Sequence, residues 1–159
     1  MSRLSHIGDD GRATMVDISE KDISSRRAVA EGLLRVSPET LSLAISGQSK
    51  KGAVIPVAEL AGIMGAKKTS ELIPLCHPLP LSKIGVDITA RDGALVVTSE
   101  ARTTGRTGVE MEALTAATIA LLTLYDMLKA AQKDMVIEEV RLIEKTGGAG
   151  GDYKTLAPS

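Results

Sequence analysis

The sequence predicts an α+β domain with the element order β-α-β-β-α-β, and three observations carry that expectation. Two runs alternate cleanly between apolar and polar residues, Ile84 to Ala90 and Leu95 to Ala101, and Arg91-Asp92-Gly93 joins them as a hairpin. One long stretch at helical spacing follows, from Val109 to about Gln132. Strand-like runs stand near either end, Arg26 to Val36 and Met135 to Glu144, so that strands flank both helical regions.

Taken in order, Met1 to Thr14 is polar, aperiodic and glycine-containing, and is expected as a flexible arm in which His6 is solvated. The first strand begins at Arg26-Arg27, a solvated charge pair unless an anion site faces it. Ser37-Pro38-Glu39 then sets a capping serine before a proline at the first helical position, and Leu41 and Ile45 give a short helix that Gly47 ends. Gln48 to Gly52 is a tight basic turn. From Pro56 to about Lys68, Leu60, Ile63, Met64 and Ala66 fall at helical spacing, with Lys67 and Lys68 in the last turn. The hairpin comes next, and after it Arg102 to Gly108, RTTGRTG, reads as a loop ahead of a helix, the setting of an anion site. Thr107 and Glu110 also match a capping box. The long helix carries an apolar stripe of Met111, Leu114, Leu121, Leu122, Tyr125 and Leu128. Past the last strand, residues 146–159 open with TGGAGG and are expected as a glycine-rich flexible tail. Merging the two short helices gives the ferredoxin-like unit, an antiparallel sheet with helices on one face, all in a single domain. The other face of so aliphatic a sheet is expected to be covered by a second subunit.

Composition removes several function classes. A net charge of -1, from 19 basic and 20 acidic residues, argues against a general binder of nucleic acid or of anionic membranes. Phe and Trp are absent and Tyr125 and Tyr153 are the only aromatic residues, so stacking platforms for single strands are lacking. One cysteine rules out an internal disulfide, no apolar run approaches the roughly 20 residues of a membrane span, and Met1 to Asp10 has no apolar leader. A cytoplasmic protein is expected.

The chemistry concentrates in two places. Leu72 to Leu81, LIPLCHPLPL, holds Cys76, His77 and three prolines, so neither a helix nor a central strand runs through it. Its leucines bracket one imidazole, which suits a fixed functional histidine and a hydrogen-bonded core histidine equally. On the long helix, Asp126 and Lys129 are neighbours at i,i+3 spacing, worth about 0.2 to 0.5 kcal/mol as a plain ion pair. Glu112 shares a face with Asp126 to within about 40°, but 14 positions of rise separate them by about 21 Å, so one small ligand cannot touch both on one straight helix.

The segments AGIMGAKKTSELIPLCHPLPLS and TGRTGVEMEALTAATIALLTLYDMLKA, with MVDIS at Met15 to Ser19 and the glycine-rich tail, closely resemble the cyclic pyranopterin monophosphate synthase (MoaC) family of molybdenum-cofactor biosynthesis. The resemblance runs from about His6 to Tyr153. It implies a ferredoxin-like subunit in a homohexamer built as a trimer of dimers, with sites at subunit interfaces. It further implies a lyase that converts the 3',8-cyclised dihydroguanosine triphosphate, supplied by a radical-SAM GTP cyclase, into cyclic pyranopterin monophosphate and diphosphate. By matching motifs, Asp126 is the acid/base, with Lys129 and Lys51 as further catalytic positions. Leu75, Cys76, His77, Met111 and Glu112 match substrate contacts. Arg26, Lys51, Lys67 and Lys145 match the basic residues around the triphosphate, with Glu110 a further carboxylate. No cofactor and no protein-bound metal are implied, Mg²⁺ accompanying the triphosphate being left open. The chain departs from the family at Ala149, where many members carry a lysine. Two rivals stand beside the enzyme: a silent nucleotide-binding regulator, which would tolerate Asp126→Asn and Lys129→Ala, and a purely structural oligomer.

Overall fold

Strand order is the first result of the computed structural model, which describes residues 4–155. Residues 1–3 of the expected arm and 156–159 of the expected tail lie outside the described residues. The elements are β1 (Ser24–Arg35), α1 (Pro38–Ser46), α2 (Val54–Lys67), α3 (Thr69–Leu72), β2 (Leu81–Arg91), β3 (Ala94–Gly105), α4 (Glu110–Leu128), β4 (Val136–Thr146) and β5 (Tyr153–Lys154). One sheet has the order β2-β3-β1-β4-β5, antiparallel at every step. Its four long strands are in ferredoxin-like order, with β5 added at the β4 edge.

Local chemistry explains the boundaries that the sequence announces. Asp92 (φ 49°) and Gly93 (φ 73°) form the two-residue hairpin turn between paired Arg91 and Ala94, both in the left-handed region that this turn demands. Ser37 Oγ accepts the backbone N–H of Thr40 at 3.2 Å, Pro38 opens α1, and Gly47 (φ 70°) closes it. Helix α2 starts at Val54, two residues before Pro56, because a proline in the first turn removes only an N–H that no carbonyl was going to meet.

Packing overrides periodicity elsewhere. Ala28, Ala30 and Leu34 of β1 and Leu95, Val97 and Ala101 of β3 meet Ala113, Ala117, Leu121 and Leu124 of α4. Helix α2 lies so close to α4 that a Cβ on Gly62 would stand 2.8 Å from the Ala116 carbonyl oxygen. Small residues therefore face inward on α2, and Leu60 and Met64, expected inside, are 57% and 53% exposed. Ile45 of α1 and Leu122 of α4 are likewise turned outward, and Met111 is 37% exposed, so the apolar stripe of α4 is led by alanines instead. Strand β3 continues to Gly105, which takes Arg102 to Gly105 out of the expected loop. Helix α4 ends at Leu128, short of Gln132. Strand β4 is irregular, with two register shifts against β1 and Glu139 at φ 54°, and so lacks a clean alternation. The glycine-rich segment turns back into β5, which pairs Tyr153 with Lys145 and Lys154 with Glu144.

The face of the sheet away from the helices carries a ladder of charge beside a small aliphatic cluster of Leu33, Ala94 and Val96. Arg27 bridges Glu100 (2.7 Å) and Glu144 (2.8 Å), and Lys83 (3.2 Å) and Arg102 (2.6 Å) join it on Glu100. Arg91 pairs with Glu31, and Arg35 with Glu138. Exposed aliphatic side chains lie on α2 and α4 and also on β4, where Val136 is 52% exposed. By length and composition α4 is apolar enough to cross a membrane, contrary to the expectation that no run approaches a span, but its buried face packs on the sheet as a core helix.

Candidate active site

The candidate residues gather at opposite ends of α4. At its N-terminus the capping box does not form: Val109 is the cap residue and no side chain caps the helix. Glu110 instead accepts a hydrogen bond from Lys145 Nζ at 2.7 Å, because β4 runs under the helix and its bulge turns Lys145 toward it. Burial works against ionisation of Glu110, but the bond from Lys145 and its charge hold the carboxyl below the usual range. Arg26 donates from Nε to the Gly105 carbonyl at 3.1 Å. Gly148 lies against its guanidinium, where a Cβ would stand 2.1 Å from Nη1. The neighbouring Arg27 points to the other sheet face, so the two arginines have different work. Arg26, Lys145, Glu110, Lys21 and Thr107 line a cleft of about 750 Å³.

Next to this cleft Glu112 is 4% exposed, and burial, reinforced by the charge of Glu110, pushes its carboxyl up to about 7. Burial, and then Glu112, raise the Cys76 thiol, which ties the Leu72 to Leu81 loop electrostatically to this end of the helix. His77 Nε2 lies 2.7 Å from the Val16 carbonyl oxygen. A carbonyl oxygen only accepts, so Nε2 donates there. This bond also tethers the MVDIS segment to the loop. Leu75, Cys76 and His77 are all half-buried, and Met111 lines an adjoining apolar groove with Leu72 and Ile73.

At the C-terminus of α4, Asp126 sits between two lysines. Lys129 Nζ is 2.8 Å from Oδ1, and Lys51 Nζ is 3.2 Å from Oδ2 and 3.0 Å from the Asp126 carbonyl oxygen. The basic turn after α1 delivers Lys51, whose charge also complements the helix C-terminus. Lys129 first, then Lys51, hold the Asp126 carboxyl below the usual range, and Asp126 in turn raises Lys129. All three side chains are about half exposed.

Lys67 joins neither cluster; it is exposed and lines a separate groove with Leu79, Leu81 and Lys83. A single chain thus divides the expected residues among three places, and the rise along α4 keeps Glu112 and Asp126 about 21 Å apart. Sequence reading missed Lys21 and Ser24 as cleft residues, and the signal available was slight: Lys21 precedes β1 and Ser24 opens it, beside the glycines that line the cleft. Among the described residues no group of three His, Cys, Asp or Glu side chains is placed to hold a metal ion.

Two carboxylates pushed in opposite directions, Glu112 by burial and Asp126 by its two lysines, equip a ferredoxin-like domain for proton transfer on a small anionic substrate, and that is the class of enzyme. Within that class the chain belongs to the MoaC family, whose model matches residues 15–148. Relatives from two strains of Cereibacter sphaeroides, both named cyclic pyranopterin monophosphate synthase, are each 53% identical over 160 aligned positions, spanning 99% of this chain and 100% of the relative.

Proposed function

We propose that this chain is a cyclic pyranopterin monophosphate synthase, a lyase of molybdenum-cofactor biosynthesis acting on the 3',8-cyclised dihydroguanosine triphosphate and releasing diphosphate. The observation that carries the proposal is Asp126 held ionised between Lys51 and Lys129. A carboxylate so placed takes a proton from the substrate, and the ammonium of Lys129 beside it steadies the charge that develops. Glu112, whose carboxyl titrates about 7, is the complementary group that can hold or give a proton at neutral pH. Leu75, Cys76, His77 and Met111 shape the pterin side, and Arg26, Lys145 and Lys67 take the phosphates, Glu110 keeping Lys145 in position. A ribose-derived hydroxyl then attacks the first phosphorus, its proton leaves to a base, and the bond to diphosphate breaks. Catalysis of that step is mostly positioning and charge stabilisation.

The separation between the two clusters favours a site completed by a second copy, the N-terminal end of one α4 facing the C-terminal end of another, in a homohexamer built as a trimer of dimers. The reaction needs no resident cofactor, and Mg²⁺ would arrive with the triphosphate. A radical-SAM GTP cyclase would supply the substrate, in the cytoplasm.

The test is diphosphate release from the cyclised triphosphate by the purified protein, with Asp126→Asn alongside. Release by the wild type and not by the variant supports the synthase. Tight binding without release by either would turn the reading to a regulatory nucleotide-binding module.

A further inference from the structure

Among the described residues, the buried side-chain nitrogen and oxygen atoms without a hydrogen-bond partner are Ser24 Oγ and Arg141 Nε and Nη2. A guanidinium donor withdrawn from water and left unpaired is destabilising, and a water, an ion or a ligand can bring the acceptor. Both residues border clefts that meet at the Glu110–Lys145 ion pair. Ser24 lines the larger cleft, and Arg141 lines a second of about 540 Å³; Glu110, Lys145 and Gly150 belong to both. The charges of the two differ. In the first, Lys21, Arg26 and Lys145 are balanced by Glu20, Asp22 and Glu110. In the second, Arg141 and Lys145 face Glu110 alone, so one positive charge is uncompensated.

We infer that Arg141 is a binding residue for the far end of the substrate's phosphate chain and for the diphosphate released from it, with Lys145 shared between the two lobes. This rests on the proposed function for the identity of the anion. Phosphate oxygens suit a guanidinium that presents several donors in a fixed plane, and they would satisfy the two buried nitrogens together. The same Glu110 that neutralises Lys145 leaves Arg141 as the charge that attracts the ligand. Arg141 holds the anion and moves no proton, so its loss acts on binding more than on turnover.

The experiment titrates inorganic diphosphate into the wild type, Arg141→Gln and Arg141→Lys by calorimetry, and measures KM and kcat with the cyclised triphosphate. Arg35→Gln, whose guanidinium pairs with Glu138 and lines neither cleft, is the control. Arg141→Gln is expected to weaken diphosphate binding by about 10- to 100-fold and to raise KM similarly, with kcat within about threefold. Arg141→Lys should recover part of the affinity, since it keeps the charge and loses the fork. A folded Arg141→Gln protein with wild-type diphosphate affinity and KM would overturn the inference, as would a change in assembly mass in both variants, which would make Arg141 an inter-subunit contact. If Arg141→Gln fails to fold, wild-type behaviour of Arg141→Lys in every parameter overturns it as well. A wild type that binds diphosphate through Arg141 but never releases it from substrate overturns the proposed reaction and leaves the anion site standing.

Discussion

Glu112 and Asp126 sit at opposite ends of one helix and answer to opposite forces. Glu112 is buried, is bonded to no lysine, and has Glu110 as a like-charged neighbour, so its proton is held up to about 7. Asp126 is half exposed between Lys129 and Lys51, so its proton leaves early. The residues are near-equivalent chemically; their surroundings differ. The lesson is that acid and base are assigned here by what the fold brings to each carboxyl rather than by residue type. Lys145, the cation nearest the buried end, is spent on Glu110 and leaves Glu112 uncompensated.

The largest effect expected from breaking this contrast is at Asp126. Asp126→Asn should lower kcat by about 10²- to 10⁴-fold with almost no change in stability, since solvent screens exposed ion pairs. Activity within threefold of wild type in a diphosphate-release assay would remove Asp126 from the chemistry.

Glu112 should show itself in stability against pH. Its folded carboxyl titrates about 7 against an unfolded value of 4.5, so the folded state binds more protons between those limits. Stability is therefore fully present below the unfolded value and falls as pH rises toward 7, by up to about 3 kcal/mol. Glu112→Gln should lack that decline and be the more stable protein at pH 8 in urea melts. A wild type whose stability is level from pH 5 to 8 would contradict the buried, uncompensated carboxyl.

Glu100 sharpens the comparison from the far face of the sheet. Burial there is outweighed by hydrogen bonds from Arg27, Lys83 and Arg102, which draw the carboxyl down to about 2 from an ordinary 4.5. The sign reverses: this stability is present above the unfolded value and is lost as pH falls through the folded one, on the order of 2 kcal/mol after allowance for partial exposure. Glu100→Gln should flatten acid unfolding between pH 4.5 and 2 and leave turnover unchanged; a loss of turnover would extend the site to the charged face.

The smallest effect belongs to Cys76. With its thiol raised by burial and by Glu112, it is a poorer source of thiolate than a free cysteine. Cys76→Ser should keep activity within about threefold, and iodoacetamide should alkylate the wild-type thiol more slowly at pH 7.5 than a free cysteine.

Features written in adjacent residues were legible. The Asp92-Gly93 turn, the Ser37-Pro38 start and Gly47 stop of α1, and the strand and helix order all follow from backbone preferences that a few neighbours settle. The motif LCHP and the Asp126–Lys129 spacing marked site candidates by residue type and position. What failed was the choice among chemically reasonable partners. Glu110 could cap its helix with Thr107 or meet Lys145, and Lys145 is close enough in the fold to win. Leu60, Met64 and Leu122 have the periodicity of core residues, yet they turn outward, and α2 approaches α4 so closely that a Cβ on Gly62 or Gly65 would meet the Ala116 carbonyl oxygen or the Ile119 side chain.

The sequence by itself determined the order of elements, the places where the chain turns, and the side chains available for chemistry, because each depends on local conformation and composition. Tertiary structure decided which lysine serves which carboxylate, that Glu112 is dry while Asp126 is wet, and that Arg141 keeps an unpaired guanidinium. The reason is that desolvation and charge pairing act over a few ångströms of space, and residues 35 and 75 positions apart become neighbours only when the sheet and its helices have closed.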